Sequence, residues 1–103
     1  MQLTNQTLSL IGLASRARKI ESGSEVINLI RKRKCYLILI CNDASEPTKK
    51  KLIDKCTYYS IEYLLVDDSE LLSKAIGKSN RKALAVTEQG FANGIKKKLG
   101  QGI

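Results

Sequence analysis

A chain of 103 residues, 43% of them hydrophobic, is long enough for one self-supporting domain and too apolar for a disordered tail. Eighteen lysines and arginines against ten acids give a net charge of +8, which favours polyanionic partners. The chain has no histidine, so Ser-His and Cys-His nucleophile pairs are excluded. The absence of GxSxG, GxxxxGK[ST] and GxGxxG removes the commonest hydrolase and nucleotide-binding arrangements. No run approaches the roughly 18 apolar residues of a membrane span. The N-terminal stretch places its basic residues after its apolar ones, the reverse of a signal peptide. A cytoplasmic protein without a membrane partner is expected, with residues 1–103 forming one domain. Cys35, Cys41 and Cys56 are irregularly spaced and contain no C-x-x-C pair, so they read as buried thiols of a reducing compartment. Neither a metal site nor a cofactor is expected.

The basic residues are unevenly placed. Residues 1–34 carry a net +5, residues 62–70 carry −4, and residues 71–103 carry +6. A fold that brings the two ends together would make one positive face.

Helical spacing of Leu8, Ile11, Leu13, Ala14 and Ala17 predicts a helix over 4–18 with Thr4 as its N-cap. Gly23 breaks the chain, and a second helix follows over 24–33 with Val26, Ile27, Leu29 and Ile30 inward. The continuous apolar run Tyr36–Cys41 suits a strand buried on both faces. After the turn signal Asn42-Asp43, Ser45 can cap a third helix, with Pro47 in its first turn. That helix turns Thr48, Lys49, Lys50 and Lys51 outward and Leu52, Ile53 and Cys56 inward. A strand over 62–66, a helix over 69–76 ending at Gly77, a strand over 83–87 and a helix over 89–99 complete the chain. Helices alternating with buried strands define an α/β sandwich.

Basic clusters lie at Arg16-Arg18-Lys19, Arg31–Lys34, Lys49–Lys51, Lys78-Arg81-Lys82 and Lys96–Lys98. The first of these immediately precedes the second helix. The third-from-last lies on an outward helix face, whereas Lys78, Arg81 and Lys82 belong to a helix-to-strand loop, where a rigid scaffold commonly presents binding residues. Tyr58 and Tyr59 are expected to follow a helix, Tyr36 and Tyr63 to lie in strands, and Phe91 to pack inward. There is no ladder of aromatics for single-strand stacking, so a partner with a phosphate backbone and a defined shape fits better.

The strings Gly12–Lys19, Leu37–Ile40, Asn42–Glu46, Thr48–Lys51, Asp54–Cys56, Ala75–Lys78, Arg81 and Ala85–Ala92 resemble the bacterial YlxQ family. That family lies within the kink-turn-binding ribosomal protein superfamily. The resemblance implies a three-layer α/β/α sandwich with a four-stranded mixed sheet. It also implies a non-catalytic protein binding structured RNA, rRNA or another kink-turn RNA, in a ribosomal or translational setting.

The superfamily's RNA-reading motif, approximately Gly-x-Asn/Lys-Glu-x-x-Lys, aligns through Glu25. Ser24 then replaces the Asn/Lys, Asn28 replaces the lysine, and the glycine falls on Ser22 with Gly23 one place late. A carboxylate at Glu25 can accept from the N1–H and N2–H of a guanine in a sheared G·A pair, while Asn28 donates to its O6. The resemblance thus gives an RNA-binding set of Arg18, Lys19, Gly23, Ser24, Glu25, Asn28, Lys32, Lys78, Ser79, Asn80, Arg81 and Lys82. A glutamate in a first helical turn also complements the helix dipole, so a purely structural role for Glu25 stays open. Two other functions stay open as well. One is a protein–protein adaptor of the translation machinery whose basic faces meet an acidic partner. The other is a small-molecule enzyme, which would need a polar pocket at the strand ends.

Overall fold

Thr4 caps the first helix as its position predicts, its Oγ1 accepting from the Thr7 N–H at 3.2 Å. In the computed structural model, which describes residues 1–101, nine elements follow in order. They are α1 (Asn5–Arg16), β1 (Ile20–Ser22), α2 (Glu25–Lys32), β2 (Leu37–Cys41), α3 (Glu46–Tyr59), β3 (Tyr63–Val66), α4 (Ser69–Ala75), β4 (Ala83–Val86) and α5 (Gln89–Gln101). Residues 102–103, the end of the expected 1–103 domain, lie outside the described residues.

Local signals set most of the boundaries. Ser45 caps α3 through the Thr48 N–H, with Pro47 in the first turn, and Asp68 caps α4 through the Leu71 N–H. Gly77 follows α4 at a φ of +69°, the left-handed conformation expected of it. Three details differ from expectation. α1 stops at Arg16, leaving Ala17 outside it and exposed; its outer face leaves Leu13 exposed, and it buries Thr7 with Ile11 and Ala14. The buried Thr7 hydroxyl is tolerated because it hydrogen-bonds the Thr4 hydroxyl at 2.9 Å. Tyr58 and Tyr59 form the last turn of α3 rather than following it, and Tyr36 precedes β2, half exposed.

The sheet has the order β1-β4-β2-β3, with β2 and β3 parallel and the other pairs antiparallel. It is therefore four-stranded and mixed. Alternation along β2 sorts the core. Leu37, Leu39 and Cys41 face the cluster containing Ile11, Leu72, Ala92, Ile95 and Leu99, from α1, α4 and α5. Ile38 and Ile40 face Val26 and Ile30 of α2 and Leu52 and Cys56 of α3. Helices thus cover both faces, which gives the three-layer α/β/α sandwich and explains why every residue of β2 and β4 is buried. The chain belongs to the α/β class on these observations.

Candidate nucleic-acid interface

β1 pairs along the outside of β4 in the register Ile20↔Val86 to Ser22↔Leu84. The chain leaving β1 toward α2 therefore runs beside the start of β4 and the 77–82 loop that precedes it. Gly23 makes this passage with a φ of +71°, where a side chain is strained. The α2 start is held by the Val26 N–H donating to the Gly23 carbonyl at 3.2 Å. Ser24 is already in the right-handed helical region and its side chain makes no capping hydrogen bond. Glu25 opens the helix, and Glu25, Asn28 and Lys32 form one exposed stripe at spacings of three and four. Among the described residues the Glu25 carboxylate forms no ion pair and no side-chain hydrogen bond.

The facing loop is braced from below. Ser73, 1% exposed, donates through Oγ to the Arg81 carbonyl at 3.1 Å and accepts from the Arg81 N–H at 2.8 Å. Asn80 holds a φ of +56° and, with Lys78 and Ser79, is exposed. Arg81 sits between two concavities and lines both. One, of about 290 Å³, has Gly23, Val26, Ile27 and Leu52 on its walls with Asn80, Lys82, Thr48 and Lys51 around them. The other, of about 530 Å³, gathers Arg18, Lys78 and Arg81 with Glu21 and Ser22 of β1. The Nε of Arg81 is buried and has no hydrogen-bond partner among the described residues.

The expected residues do not all converge. Arg18, Gly23, Lys78, Asn80, Arg81 and Lys82 line one concavity or the other. Glu25 and Asn28 lie on the exposed face of α2 nearby, and Lys32 lies two turns from Glu25, about 10 Å along the helix. Exposed Lys19 is tied through its backbone to Ala14 and Thr87. Lys82 differs from its neighbours because its ammonium is already engaged. It donates to the Ser69 hydroxyl at 2.9 Å and pairs with Asp43 at 3.5 Å, while Ser69 donates to the same Asp43 oxygen at 2.6 Å. The Ser69 hydrogen bond foremost, with Lys82 adding to it, holds the Asp43 carboxyl below its ordinary range. Sequence reasoning missed Thr48 and Lys51 as members of this rim. Lys51 was legible as part of a basic run, but nothing local says that the start of α3 lies beside the start of β4.

The thiols lie behind the interface, where the Cys41 Sγ donates weakly to the Arg81 carbonyl at 4.0 Å. All three cysteines are free and buried, and burial pushes Cys35 up to about 11 and Cys41 and Cys56 up to about 12. They stay protonated and unreactive at neutral pH. Among the described residues no group of three or more acids and cysteines is placed to hold a metal, and no helix is long and apolar enough to cross a membrane.

Fold and site together define a basic three-layer α/β/α domain whose second helix starts at the lip of a cation-rimmed cavity. The chain belongs to the ribosomal protein L7Ae/L30e/S12e/Gadd45 family, whose profile matches residues 5–96. It is 49% identical over 85 residues to the RNA-binding protein YlxQ of Bacillus subtilis (strain 168), spanning 82% of this chain and 85% of that protein. It is 39% identical over 92 residues to the RNA-binding protein YlxQ of Enterococcus faecium, spanning 88% of each. A solved structure of a Bacillus halodurans protein of unknown function matches with a TM-score of 0.86 and 36% identity, over 91% of this chain and 96% of that one. The Giardia lamblia 15.5 kD RNA-binding protein shares the fold, with a TM-score of 0.75 and 19% identity over 91% of this chain and 82% of that one. The resemblance read from the residue strings is thereby met at the level of family and fold.

Proposed function

We propose that this chain is a non-catalytic, cytoplasmic protein that binds structured RNA containing a kink turn, within the ribosome or in association with it, and that residues 1–103 act as one RNA-binding domain. The observation that carries the reading is Glu25, an exposed carboxylate, without an ion pair among the described residues, in the first turn of α2 beside a cation-rimmed cavity. A negative charge there weakens binding to any polyanion unless it accepts specific hydrogen bonds. The exposed N1–H and N2–H of a sheared guanine supply them, and Asn28, one turn along, donates to O6. Arg18, Lys19, Lys78 and Arg81 contact phosphates, with Lys32 farther along the same helix face. Gly23 lets the backbone approach closely. Ser24, Ser79 and Asn80 add polar contacts, and Lys82 acts partly through Asp43. The cavity of about 290 Å³, apolar on the Val26, Ile27 and Leu52 side, suits a base unstacked from the kink. The YlxQ relatives carry RNA-binding names, and the family is one of ribosomal proteins, which supports both the partner and the setting.

The test is competition between a kink-turn RNA and a straight duplex of equal length across a range of salt. The kink turn is expected to compete about tenfold better, and Glu25→Ala is expected to remove most of that preference, about 1.4 kcal/mol. Equal competition at every salt concentration would sink the kink-turn reading and leave only charge-driven binding. Capture of a partner protein that survives nuclease, with no RNA affinity, would favour the adaptor instead.

A further inference from the structure

Thr48, Lys51, Lys55 and Tyr58 follow one another along α3 at spacings of three and four, so they form a single stripe along the helix. The stripe begins inside the interface already described, because Thr48 and Lys51 line the cavity beside α2. It then leaves that cavity. Lys51 also belongs to a second, larger groove of about 740 Å³ that runs on along α3 past Lys55 to Tyr58 and Tyr59. Tyr58 is 78% exposed, the most exposed of the large hydrophobic residues among those described, and no packing requirement explains an aromatic there. Its ring is nevertheless oriented: Tyr59, half-buried against the α2–α3 core, meets it edge-on with centroids 4.8 Å apart. Lys50 lies on the same groove but pairs with Asp54 at 3.1 Å, so among the described residues Lys51 and Lys55 provide the groove's uncompensated charge.

We infer that this face of α3 is a second RNA-contacting surface, which guides a single strand leaving the structured element past Lys51 and Lys55 and stacks one of its unpaired bases on Tyr58. The inference rests on the RNA-binding reading above and extends it. From Lys51 to Tyr58 is two helical turns, about 10.5 Å, the length of about three stacked nucleotides. A cation followed by an oriented, exposed ring is the combination that binds single strands without sequence preference. One tyrosine makes a terminal stacking point rather than a platform, so the surface serves as an extension of the site and not as a separate binder.

Three kink-turn RNAs decide the matter, one blunt-ended and two carrying about four single-stranded nucleotides at one end or the other. Wild-type protein is expected to bind one extended form about tenfold more tightly than the blunt form. Tyr58→Ala should abolish that advantage and leave blunt RNA within twofold, while Tyr58→Phe keeps it. Lys55→Gln should flatten the salt dependence by about 0.7 in slope with extended RNA only. Because the chain has no tryptophan, Tyr58→Trp places a single indole on the stripe, whose emission, excited apart from that of the remaining tyrosines, extended RNA should quench and blunt RNA should not. Equal affinity for blunt and extended RNAs, or no effect of Tyr58→Ala, overturns the inference while leaving the kink-turn reading intact. Loss of binding to every RNA by the wild type overturns both. A nuclease-resistant protein partner lost in Tyr58→Ala, with unchanged binding of both RNAs, assigns the face to protein instead.

Discussion

The three thiols show how burial converts a reactive group into a packing one. Their ordinary value of 9.0 rises to about 11 for Cys35 and to about 12 for Cys41 and Cys56, chiefly because each is desolvated. A folded pKa above the unfolded one means that the folded state holds protons the unfolded state has released. Any stability linked to these groups is thus fully present below pH 9.0 and is lost as pH rises through 11 to 12. A chromogenic disulfide reagent at pH 8 is expected to leave the native thiols unmodified and to count all three after denaturation. Fast reaction of any one in the native protein would contradict the burial described. Glu25 is the opposite case. It is exposed and has no ion pair or side-chain hydrogen bond among the described residues, so Glu25→Ala should leave stability within about 0.5 kcal/mol while changing RNA preference.

Between elements, the brace from α4 to β4 is the most exposed to a single change. Ser73 makes both of its hydrogen bonds to the backbone of Arg81, eight residues on, and thereby fixes where the loop hands over to the strand. Ser73→Ala leaves the part-buried Arg81 N–H without its partner and is expected to cost about 1–2 kcal/mol by urea titration. Because the loop would loosen, affinity for kink-turn RNA should fall as well, although Ser73 is too buried to touch RNA. Unchanged affinity in a destabilised variant would show that the loop's position does not matter. The sequence made the helices and the central strands legible, since caps at Thr4, Ser45 and Asp68 and the runs at 37–41 and 83–86 are local signals. β1 was not legible from its own residues. It has only three, Ile-Glu-Ser, with no buried run, and it exists because β4 offers it an edge. The candidate site was legible in part for the same reason. Residues flanking Gly23 and the 77–82 loop carry local signals, whereas the approach of Thr48 and Lys51, and the capture of Lys82 by Asp43, are products of long-range packing.

Across the whole molecule, charge is sorted by sheet position. The basic Arg18-Lys19 segment leads into β1 at one edge, and the acidic residues Glu62, Asp67, Asp68 and Glu70 flank β3 and open α4 at the other. Three strand spacings separate the edges, about 14 Å. That exceeds a Debye length of about 8 Å at physiological salt, so the acidic edge does little to cancel the basic one. It does disfavour the wrong approach, since Lys96 neutralises only Glu62 within it and the remaining acids repel phosphate. The ends of the chain therefore contribute to one positive side, through Arg18 with Lys78 and Arg81, while the acidic segment keeps to the other.

The shortness of β1 has a consequence in time as well as in space. With three residues and a single neighbouring strand, it is the piece of the sheet least anchored against local opening. Both margins of the site, Arg18 before it and Gly23 after it, hang on that piece. A ligand gripping both margins would therefore act as a splint. In hydrogen exchange the Ile20–Ser22 amides should open ahead of those of β2 and β4 in the free protein, and saturating kink-turn RNA should slow them at least about tenfold. Exchange there that ignores the RNA would mean that the two margins are not held together. On this view, part of what the RNA supplies is the final closure of the protein's own sheet.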